Sequence, residues 1–328
     1  MKNAMPHNEL KGEVQRIADA HRTIQDVVER YIVGNRELVE LIMIGVLTGG
    51  HILIDGVPGT AKTTISKIIA RSLGYRFSRI QGAVDVQPAD IIGVRIYDTE
   101  KHEFMLQPGP IFANFVMVDE INRLTPKTQS AFIEAMAEHQ ATIDGISYSL
   151  GDPYFVVATQ NTQEFEGTFP LIEAQRDRFN YSMTLYHLDR DQEIEILRRD
   201  RDGGLDWSLN ERQIRPVLST SSIQTMSQTA SQIYVDDAIL GYIRDIVVAS
   251  RNHDDVRLGL STRGSLALHR GAKARAAIEG RTYVIPDDVV NMATPVMSHR
   301  LILDRGSEMG HLAVDHIITE ILGSVEVT

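Results

Sequence analysis

The sequence predicts an α/β protein in two parts, in which a parallel α/β domain comes first and a smaller domain of helices follows. Apolar segments of strand length alternate with helical patterns up to about residue 185, and one strand runs through a glycine-rich turn into a helix. Beyond residue 189 the apolar positions recur at helical spacing alone. Alternating strands and helices are typical of a parallel sheet covered by helices. We therefore expect residues 1–187 to form the first domain and residues 188–328 the helical one.

The first elements follow from apolar spacing and from the residues that begin or end helices. Helical spacing from Leu10 to Tyr31 predicts a first helix, and Asn35 suits the N-cap of a second. His51–Ile54 predicts a short buried strand, which leads into the glycine-rich turn and a third helix. Four more strands are predicted at Phe77–Ile80, Ile111–Val118, Tyr154–Ala158 and Tyr181–Leu185.

Turn residues and further helical spacing complete the pattern. Two hairpins are predicted, at about residues 94–106 and 141–152, and the second turns at Asp144-Gly145. Thr125-Pro126 predicts a helix start between them, because threonine caps helices and proline favours the first helical position. The helices of the second part are predicted near residues 192–199, 221–231, 236–250, 263–279 and 287–292.

The composition is that of a globular protein with a net negative charge. Of the 328 residues 43% are hydrophobic, and the formal charge of −11 argues against broad attraction to nucleic acid or anionic lipid. Without cysteine, the chain cannot form a disulfide scaffold, a cysteine nucleophile or a Cys-ligated zinc site. Residues 1–9 lack the apolar core of a signal peptide, and the longest mainly apolar stretch, Leu41–Ile54, is too short to span a bilayer. We expect a cytoplasmic protein without membrane insertion.

The glycine-rich turn, GVPGTAKT at residues 56–63, predicts a phosphate-binding loop, because it follows an apolar strand and opens a helix. Gly56 and Gly59 let backbone N–H groups turn towards phosphate oxygens, and the helix N-terminus adds partial positive charge. Lys62 can reach the β- and γ-phosphates, and the Thr63 hydroxyl can hold Mg²⁺. Ala61 stands where glycine usually precedes the lysine, and its methyl should be tolerated in the first helical turn. The alternative is a glycine-rich turn with a surface lysine.

Two adjacent carboxylates, Asp119 and Glu120, end another apolar strand. Placing two acids at the end of a buried strand costs desolvation energy unless a cation lies nearby, and Mg²⁺ would provide one. Asp119 is therefore predicted to act on the metal together with Thr63, and Glu120 to polarise the attacking water as general base. The alternative is a pair of strand-end acids that faces solvent.

Three further polar residues are candidates for catalysis. Asn161 directly follows a strand and could contact the γ-phosphate or position water. Arg178 lies far from the loop in sequence and could reach a neighbouring subunit's γ-phosphate, whereas Arg263, at a helix start in the second part, could reach back to the phosphates. The alternatives are a loop-capping asparagine, a surface ion pair of Arg178 with Asp177 or Glu173, and an arginine that only begins a helix.

The motifs GVPGTAKT, VMVDEINR, ATQN, EAQRDRF and STRG, in this order, resemble those of the MoxR family of AAA+ ATPases. The resemblance covers the chain from about Val27 to about Leu301. It implies an AAA+ P-loop core with a five-stranded parallel sheet, an all-α lid domain, ATP and Mg²⁺ as cofactors, and a ring, commonly hexameric, with nucleotide at subunit interfaces. The nucleotide-binding residues that it implies are Val33, Gly34, Gly56, Val57, Pro58, Gly59, Thr60, Ala61, Lys62, Thr63 and Thr64.

The resemblance also assigns roles to single residues. It places Asn161 at sensor 1, Arg178 at the arginine finger and Arg263 at sensor 2, and it identifies the two hairpins with the helix-2 insert and the pre-sensor insert. Arg176 occupies a usually apolar position of the motif, so the finger remains open between Arg176 and Arg178. The phase of Asp-Arg-Phe favours Arg178.

The function that the resemblance implies is chaperone-like remodelling or activation of partner proteins, driven by ATP hydrolysis, with von Willebrand factor A domain proteins as the expected partners. Two other classes stay open. A nucleic-acid motor on a related core is disfavoured by the negative charge and by the lack of an appended DNA-binding motif. A nucleotide-gated scaffold with little turnover is disfavoured by the full set of candidate catalytic residues.

Overall fold

The computed structural model describes residues 6–56, 59–161, 166–203, 213–304 and 311–327. The strands are β1 (Ile52–Gly56), β2 (Phe77–Gln81), β3 (Gly93–Asp98), β4 (Glu103–Pro108), β5 (Phe115–Asp119), β6 (Gln140–Ile143), β7 (Ile146–Ser149), β8 (Phe155–Gln160), β9 (Tyr181–Leu185), β10 (Val256–Leu258) and β11 (Ile302–Leu303). The α-helices are α1 (His7–Tyr31), α2 (Arg36–Thr48), α3 (Lys62–Ser72), α4 (Pro88–Ile92), α5 (Pro126–Glu138), α6 (Glu173–Arg176), α7 (Arg190–Arg201), α8 (Thr220–Ser231), α9 (Asp237–Asn252), α10 (Thr262–Ile278), α11 (Pro286–Met297) and α12 (His311–Gly323). Among the described residues, none of these helices is both long enough and apolar enough to cross a bilayer.

Five strands form one parallel sheet in the order β2-β5-β8-β1-β9. The central strands are apolar because helices cover both faces: β5 is buried at every residue, and β8 at all but its last. The buried apolar residues form two hydrophobic clusters. One cluster includes residues of α5, and the other includes residues of α1, α2, α3 and the helices that follow the sheet. The predicted fold class, a five-stranded parallel α/β core followed by a helical part, is confirmed.

The helices that follow the sheet pack directly on its covering helices. α10 contacts α1 and α2 as well as α8, α9 and α11. At Gly271 of α10 the packing is so close that a Cβ atom would lie 2.8 Å from the Met292 side chain and 3.1 Å from the Tyr181 ring. Glycine thus lets α10 pack closely here, since a larger residue would require the Met292 methyl group and the Tyr181 ring to shift.

Two elements of the second part were not predicted from the sequence. The short antiparallel ribbon β10–β11 is one, and the C-terminal helix α12 is the other. Strands of three and two residues are too short to show an alternating apolar pattern. The structure therefore adds a small ribbon to a domain that was expected to contain helices alone.

Two antiparallel hairpins, β3–β4 and β6–β7, extend the core. Asp144 and Gly145 join β6 to β7 with φ angles of 50° and 75°, the left-handed pair that tight hairpins require. Apolar side chains on both hairpins reach solvent: Ile96 is 50% exposed, Phe104 57% and Ile146 42%. The hairpins touch through β3 and β6, and we call their exposed side chains Ile96, Phe104 and Ile146 together the hairpin surface.

His51, the residue before β1, is a buried histidine held in its neutral form. Its Nδ1 accepts a hydrogen bond from the Val156 N–H (3.2 Å), and its Nε2 donates to the Met136 carbonyl oxygen (3.2 Å). Burial lowers the pKa of His51 to about 4, although the bond to Met136 opposes the shift. Burial alone lowers the pKa of His21, in α1, to about 4 as well.

We expect mild acid to destabilise the fold through these histidines. In the unfolded chain each histidine takes up a proton near pH 6.5, whereas in the folded chain it does so only near pH 4. The free energy of unfolding therefore falls as the pH drops from 6.5 to 4, by about 3 kcal/mol for each histidine. Urea unfolding near pH 7 and near pH 4.5 measures the loss. His51→Gln offers an amide oxygen and an amide nitrogen in place of the two ring nitrogens and does not titrate, so it should reduce the pH dependence; an unchanged pH dependence would contradict the assignment.

Candidate nucleotide site

The phosphate loop owes its shape to backbone conformations that few residues tolerate. Gly56 (φ 149°) lies so close to β9 that a Cβ atom would be 2.5 Å from the Leu185 carbonyl oxygen, and Gly59 has φ 86°. Ala61, the N-cap of α3, is also left-handed (φ 57°), which costs an L-residue roughly 1–2 kcal/mol. Alanine in place of glycine therefore costs free energy because of its backbone conformation, in addition to the space that its methyl group takes up. The predicted residues Val57 and Pro58 lie outside the described residues.

A cavity of about 370 Å³ lies at the carboxyl edge of the sheet. Lys62 reaches into it from α3, and its Nζ donates a hydrogen bond to the Gly56 carbonyl oxygen (3.0 Å). Burial lowers the pKa of Lys62, while the carboxylates of Asp119, Asp55 and Glu120 raise it. The residues that line the cavity are Gly56, Gly59, Thr60, Ala61, Lys62, Thr63, Thr64, Arg79, Gln81, Asp119, Glu120, Thr159, Gln160 and Asn161.

Thr63 and Asp119 face each other in this cavity and fit a magnesium site. The Thr63 hydroxyl donates to Asp119 Oδ2 (3.2 Å), so a hydroxyl and a carboxylate oxygen lie side by side. Mg²⁺ binds hard oxygen ligands, usually one or two protein groups together with substrate phosphates and water. Within the described part of the chain, no group of three or more His, Asp or Glu residues offers another metal site.

Arg79 and Gln81, at the end of β2, belong to the site but were missed from the sequence. Arg79 Nε donates to Asp119 Oδ2 (2.5 Å), and its Nη2 donates to Gln81 Oε1 (2.7 Å). Gln81 Nε2 in turn donates to Glu120 Oε2 (3.2 Å). Asp119 at the end of β5 and Glu120 directly after it are therefore both bonded to side chains of the neighbouring strand β2. The signal was Gln81, a polar residue that ends β2 and therefore lies at the same edge as the ends of β5 and β8; Arg79 lies within β2 and gave no such signal.

Glu120 is held in a left-handed conformation (φ 56°, ψ 53°) that is uncommon outside glycine. Its N–H donates to Thr159 Oγ1 (3.0 Å), and its carboxylate pairs with Arg123 (3.1 Å). A Cβ atom at Gly82 would lie 2.1 Å from the Glu120 carbonyl oxygen, so only glycine permits this approach. Residues held in such strained conformations are frequent at functional sites.

Two other predicted groups lie at the same edge. Asn161 follows β8 and lines the cavity, and its carbonyl oxygen accepts from Asn122 Nδ2 (3.1 Å). Val33 and Gly34 line a second cavity of about 520 Å³, which also includes Leu185. Since Leu185 pairs with Gly56 in the sheet, the second cavity adjoins the phosphate loop.

Arg178 and Arg263 lie at the opposite edge of the sheet. Asn180, two residues after Arg178, donates its N–H to the His51 carbonyl oxygen at the amino end of β1. Arg263 lies beside Asp177, with 3.6 Å between Nη1 and Oδ2. The five residues of β1 rise by about 13 Å, so this length separates both arginines from the phosphate loop of their own chain. In this conformation Arg263 does not reach back to the phosphates, as the sequence had suggested.

Arg176 and Arg178, the two candidates for the finger, differ in their surroundings. Burial lowers the pKa of Arg176, and its buried Nε has no hydrogen-bond partner among the described residues. Arg178 as a whole is half-buried, and within the described ranges its guanidinium makes no hydrogen bond or ion pair. Arg178 is thus the candidate with the more accessible charge.

Comparison with known proteins assigns the chain to a family. Residues 51–181 match the profile of the ATPase family associated with various cellular activities (AAA), and residues 248–321 match that of the AAA lid domain. The chain is 39% identical to the uncharacterized protein YeaC of Bacillus subtilis, with 94% of this chain and 96% of YeaC aligned. It is 36% identical to the chaperone MoxR1 of Mycobacterium tuberculosis, over 98% of this chain and 85% of MoxR1.

A solved structure supports the same assignment. A protein from Cytophaga hutchinsonii superimposes with a TM-score of 0.89 and 34% identity, over 98% of both chains. The sequence resemblance is thereby confirmed on sequence and on fold. Together with the site geometry, these similarities establish that the chain belongs to the MoxR family of AAA+ ATPases.

Proposed function

We propose that this protein hydrolyses ATP in a homo-oligomeric ring, a hexamer by the family pattern, and that hydrolysis drives chaperone-like remodelling of partners with von Willebrand factor A domains. The observation that carries the proposal is the convergence of Lys62, Thr63, Asp119, Glu120 and Asn161 on one cavity. These groups come from the ends of two strands, β5 and β8, and from the start of α3, and together they match the needs of phosphoryl transfer to water.

The residues of the site divide the work of hydrolysis. The cavity at Val33 and Gly34 takes the base, and Lys62 with the N–H groups of the loop binds the phosphates. Mg²⁺, held by Thr63 and Asp119, neutralises phosphate charge when it is bound. Water attacks the γ-phosphorus as the bond to the β-phosphate oxygen breaks; Glu120 accepts the proton of that water, and ADP and phosphate leave. Asn161 orients the water or the γ-phosphate.

The arginines at the opposite edge are proposed to serve a neighbouring chain. Arg178 and Arg263 are separated from their own phosphate loop by the length of β1, about 13 Å, so we expect them to complete an active site across a subunit interface. Arg178 then neutralises charge on the neighbour's γ-phosphate, and Arg263 approaches the same phosphate from beside it. This arrangement makes hydrolysis depend on assembly.

The hairpin surface is proposed to contact the client. Ile96, Phe104 and Ile146 are exposed, whereas Tyr148 is half-buried. Exposed apolar side chains that lie together are typical of interaction sites. Their position on extensions of the core lets nucleotide-dependent movements reach a bound protein.

Capture of the client tests this proposal. The Glu120→Gln protein with ATP and Mg²⁺, used as bait in cell extract, should enrich a von Willebrand factor A protein over Lys62→Ala bait, since only the first holds ATP. Phe104→Ser with Ile146→Ser should weaken capture several-fold without lowering the basal ATPase rate. Leu240→Ser, at an exposed apolar position on α9, is the matched control. Equal capture by the two baits would contradict the link to nucleotide, and recovery of DNA that stimulates the ATPase would favour a nucleic-acid motor.

A further inference from the structure

Arg300 is a buried arginine that joins the helical part of the chain to the segment around Arg178. It lies three residues beyond the end of α11, and its side chain is 3% exposed. Its Nε donates to Asp177 Oδ1 (2.8 Å), its Nη1 to the Asn180 carbonyl oxygen (3.0 Å) and its Nη2 to the Phe179 carbonyl oxygen (2.6 Å). One guanidinium thus bonds to three of the four residues from Asp177 to Asn180, and the remaining one is Arg178.

The backbone on both sides of Arg178 is therefore fixed from the helical part. Arg300 Nη2 also lies 3.4 Å from the Asp177 carbonyl oxygen, and Phe179 is fully buried. His299 Nε2 donates a second hydrogen bond to the Phe179 carbonyl oxygen (3.0 Å). Burial, reinforced by the charge of Arg300, lowers the pKa of His299 well below 6.5, so its ring is neutral and Nδ1 accepts from the Ser182 hydroxyl (2.8 Å).

The Asp177 carboxylate also holds the start of α10. Ser261, the N-cap residue of that helix, has its hydroxyl 3.1 Å from both carboxylate oxygens. Arg263, in the first turn of the same helix, lies 3.6 Å from Oδ2. Through one carboxylate, Arg300 thus fixes Arg178 and Arg263 relative to each other.

We propose that Arg300 is a positioning residue for hydrolysis: with Asp177 it fixes the two arginines that reach a neighbouring nucleotide as one rigid unit with the helical part. The inference rests on the proposed function, in which Arg178 acts on a neighbouring chain. Arg300 is too deeply buried to touch that nucleotide, so it acts only through the arginines. A misplacement of about 1 Å at such a distance from the chemistry can cost roughly 10²-fold in rate.

Arg300→Lys tests the positioning role, because an ammonium retains the charge but cannot span the three acceptor residues. We expect kcat for ATP to fall roughly 10²-fold while KM changes by less than about two-fold, since the phosphate loop is untouched. Asp177→Asn keeps the side-chain volume and should lower kcat in the same way. Arg281→Lys is the matched control, because Arg281 pairs with Asp288 elsewhere in the helical part. Unchanged kcat in Arg300→Lys and Asp177→Asn would overturn the proposal.

Mixed rings separate a misplaced finger from a general defect. Lys62→Ala chains have a normal Arg178 but no working phosphate loop, so in rings with Arg300→Lys chains they should restore activity. Rings of Arg300→Lys with Arg178→Ala chains should stay inactive. If Lys62→Ala chains restore activity to Arg178→Ala chains but not to Arg300→Lys chains, the positioning role of Arg300 is wrong, while Arg178 remains the finger. If they restore activity to neither variant, the proposed function fails as well. Thermal unfolding and ATP binding show whether Arg300→Lys folds. If it does not fold, Asp177→Asn takes its place in the same mixtures, with the same expected results.

Discussion

Replacing Glu120 with glutamine should leave ATP binding intact and lower the ATPase rate by roughly 10²–10⁴-fold, the range that a general base contributes. Glutamine keeps the size of the side chain and its capacity to hydrogen-bond with Gln81 and Arg123, so the strained backbone at this position should persist. What it loses is the ability to take the proton of the attacking water. Binding of a fluorescent ATP analogue and steady-state phosphate release measure the two effects separately.

Glu138→Gln is the matched control for this substitution, because Glu138 is an exposed glutamate at the end of α5. Its ATPase rate should stay within about two-fold of the parent's, as for most surface substitutions. Lys62→Ala gives the opposite pattern, in which binding itself is lost. If Glu120→Gln kept most of the parent's ATPase rate, Glu120 would be eliminated as the base.

Replacing Arg178 with alanine should lower the ATPase rate by roughly 10³-fold or more, the scale of other arginine fingers. The charge is lost from the transition state, while the phosphate loop of the same chain, at the other edge of the sheet, remains intact. ATP affinity should therefore change little. In the parent protein, the rate per chain should rise with protein concentration, because each site needs a neighbour.

Arg176→Ala distinguishes the two candidates for the finger. If Arg178 is the finger, Arg176→Ala should cost stability more than rate, since burial lowers the pKa of Arg176 and its Nε is buried. Mixtures of Arg178→Ala with Lys62→Ala chains should regain activity where an intact loop meets an intact finger. Failure to regain activity in rings shown to contain both chains would mean that Arg178 acts within its own chain or on structure alone.

The sequence predicted which residues come together at the ends of strands, and the reason is physical. Parallel strands place their carboxyl ends at one edge, so Asp119, Asn161 and the phosphate loop had to meet once the three strands were recognised. The apolar runs of those strands reflect burial on both faces. Fold class and the main cavity therefore follow from local patterns.

Features that depend on how elements pack could not be predicted in this way. Arg79 contacts Asp119 because β2 pairs with β5, and the sequence of neither strand shows which strand will be its neighbour in the sheet. The position of Arg263 depends on how α10 packs, which places it beside Asp177. The left-handed conformation of Ala61 could not be predicted, because alanine, unlike glycine, does not indicate a positive φ.

If Arg178 serves a neighbouring chain as proposed, its placement at the opposite edge of the sheet from the phosphate loop fixes the kind of interface that can complete a site. A contact that brings the finger of one chain to the loop of the next joins two different surfaces and is heterologous. A linear run of n chains then contains n − 1 completed sites, with one idle loop and one idle finger at its ends. Closing the ring completes the last site without adding a chain, so the final contact contributes activity as well as stability.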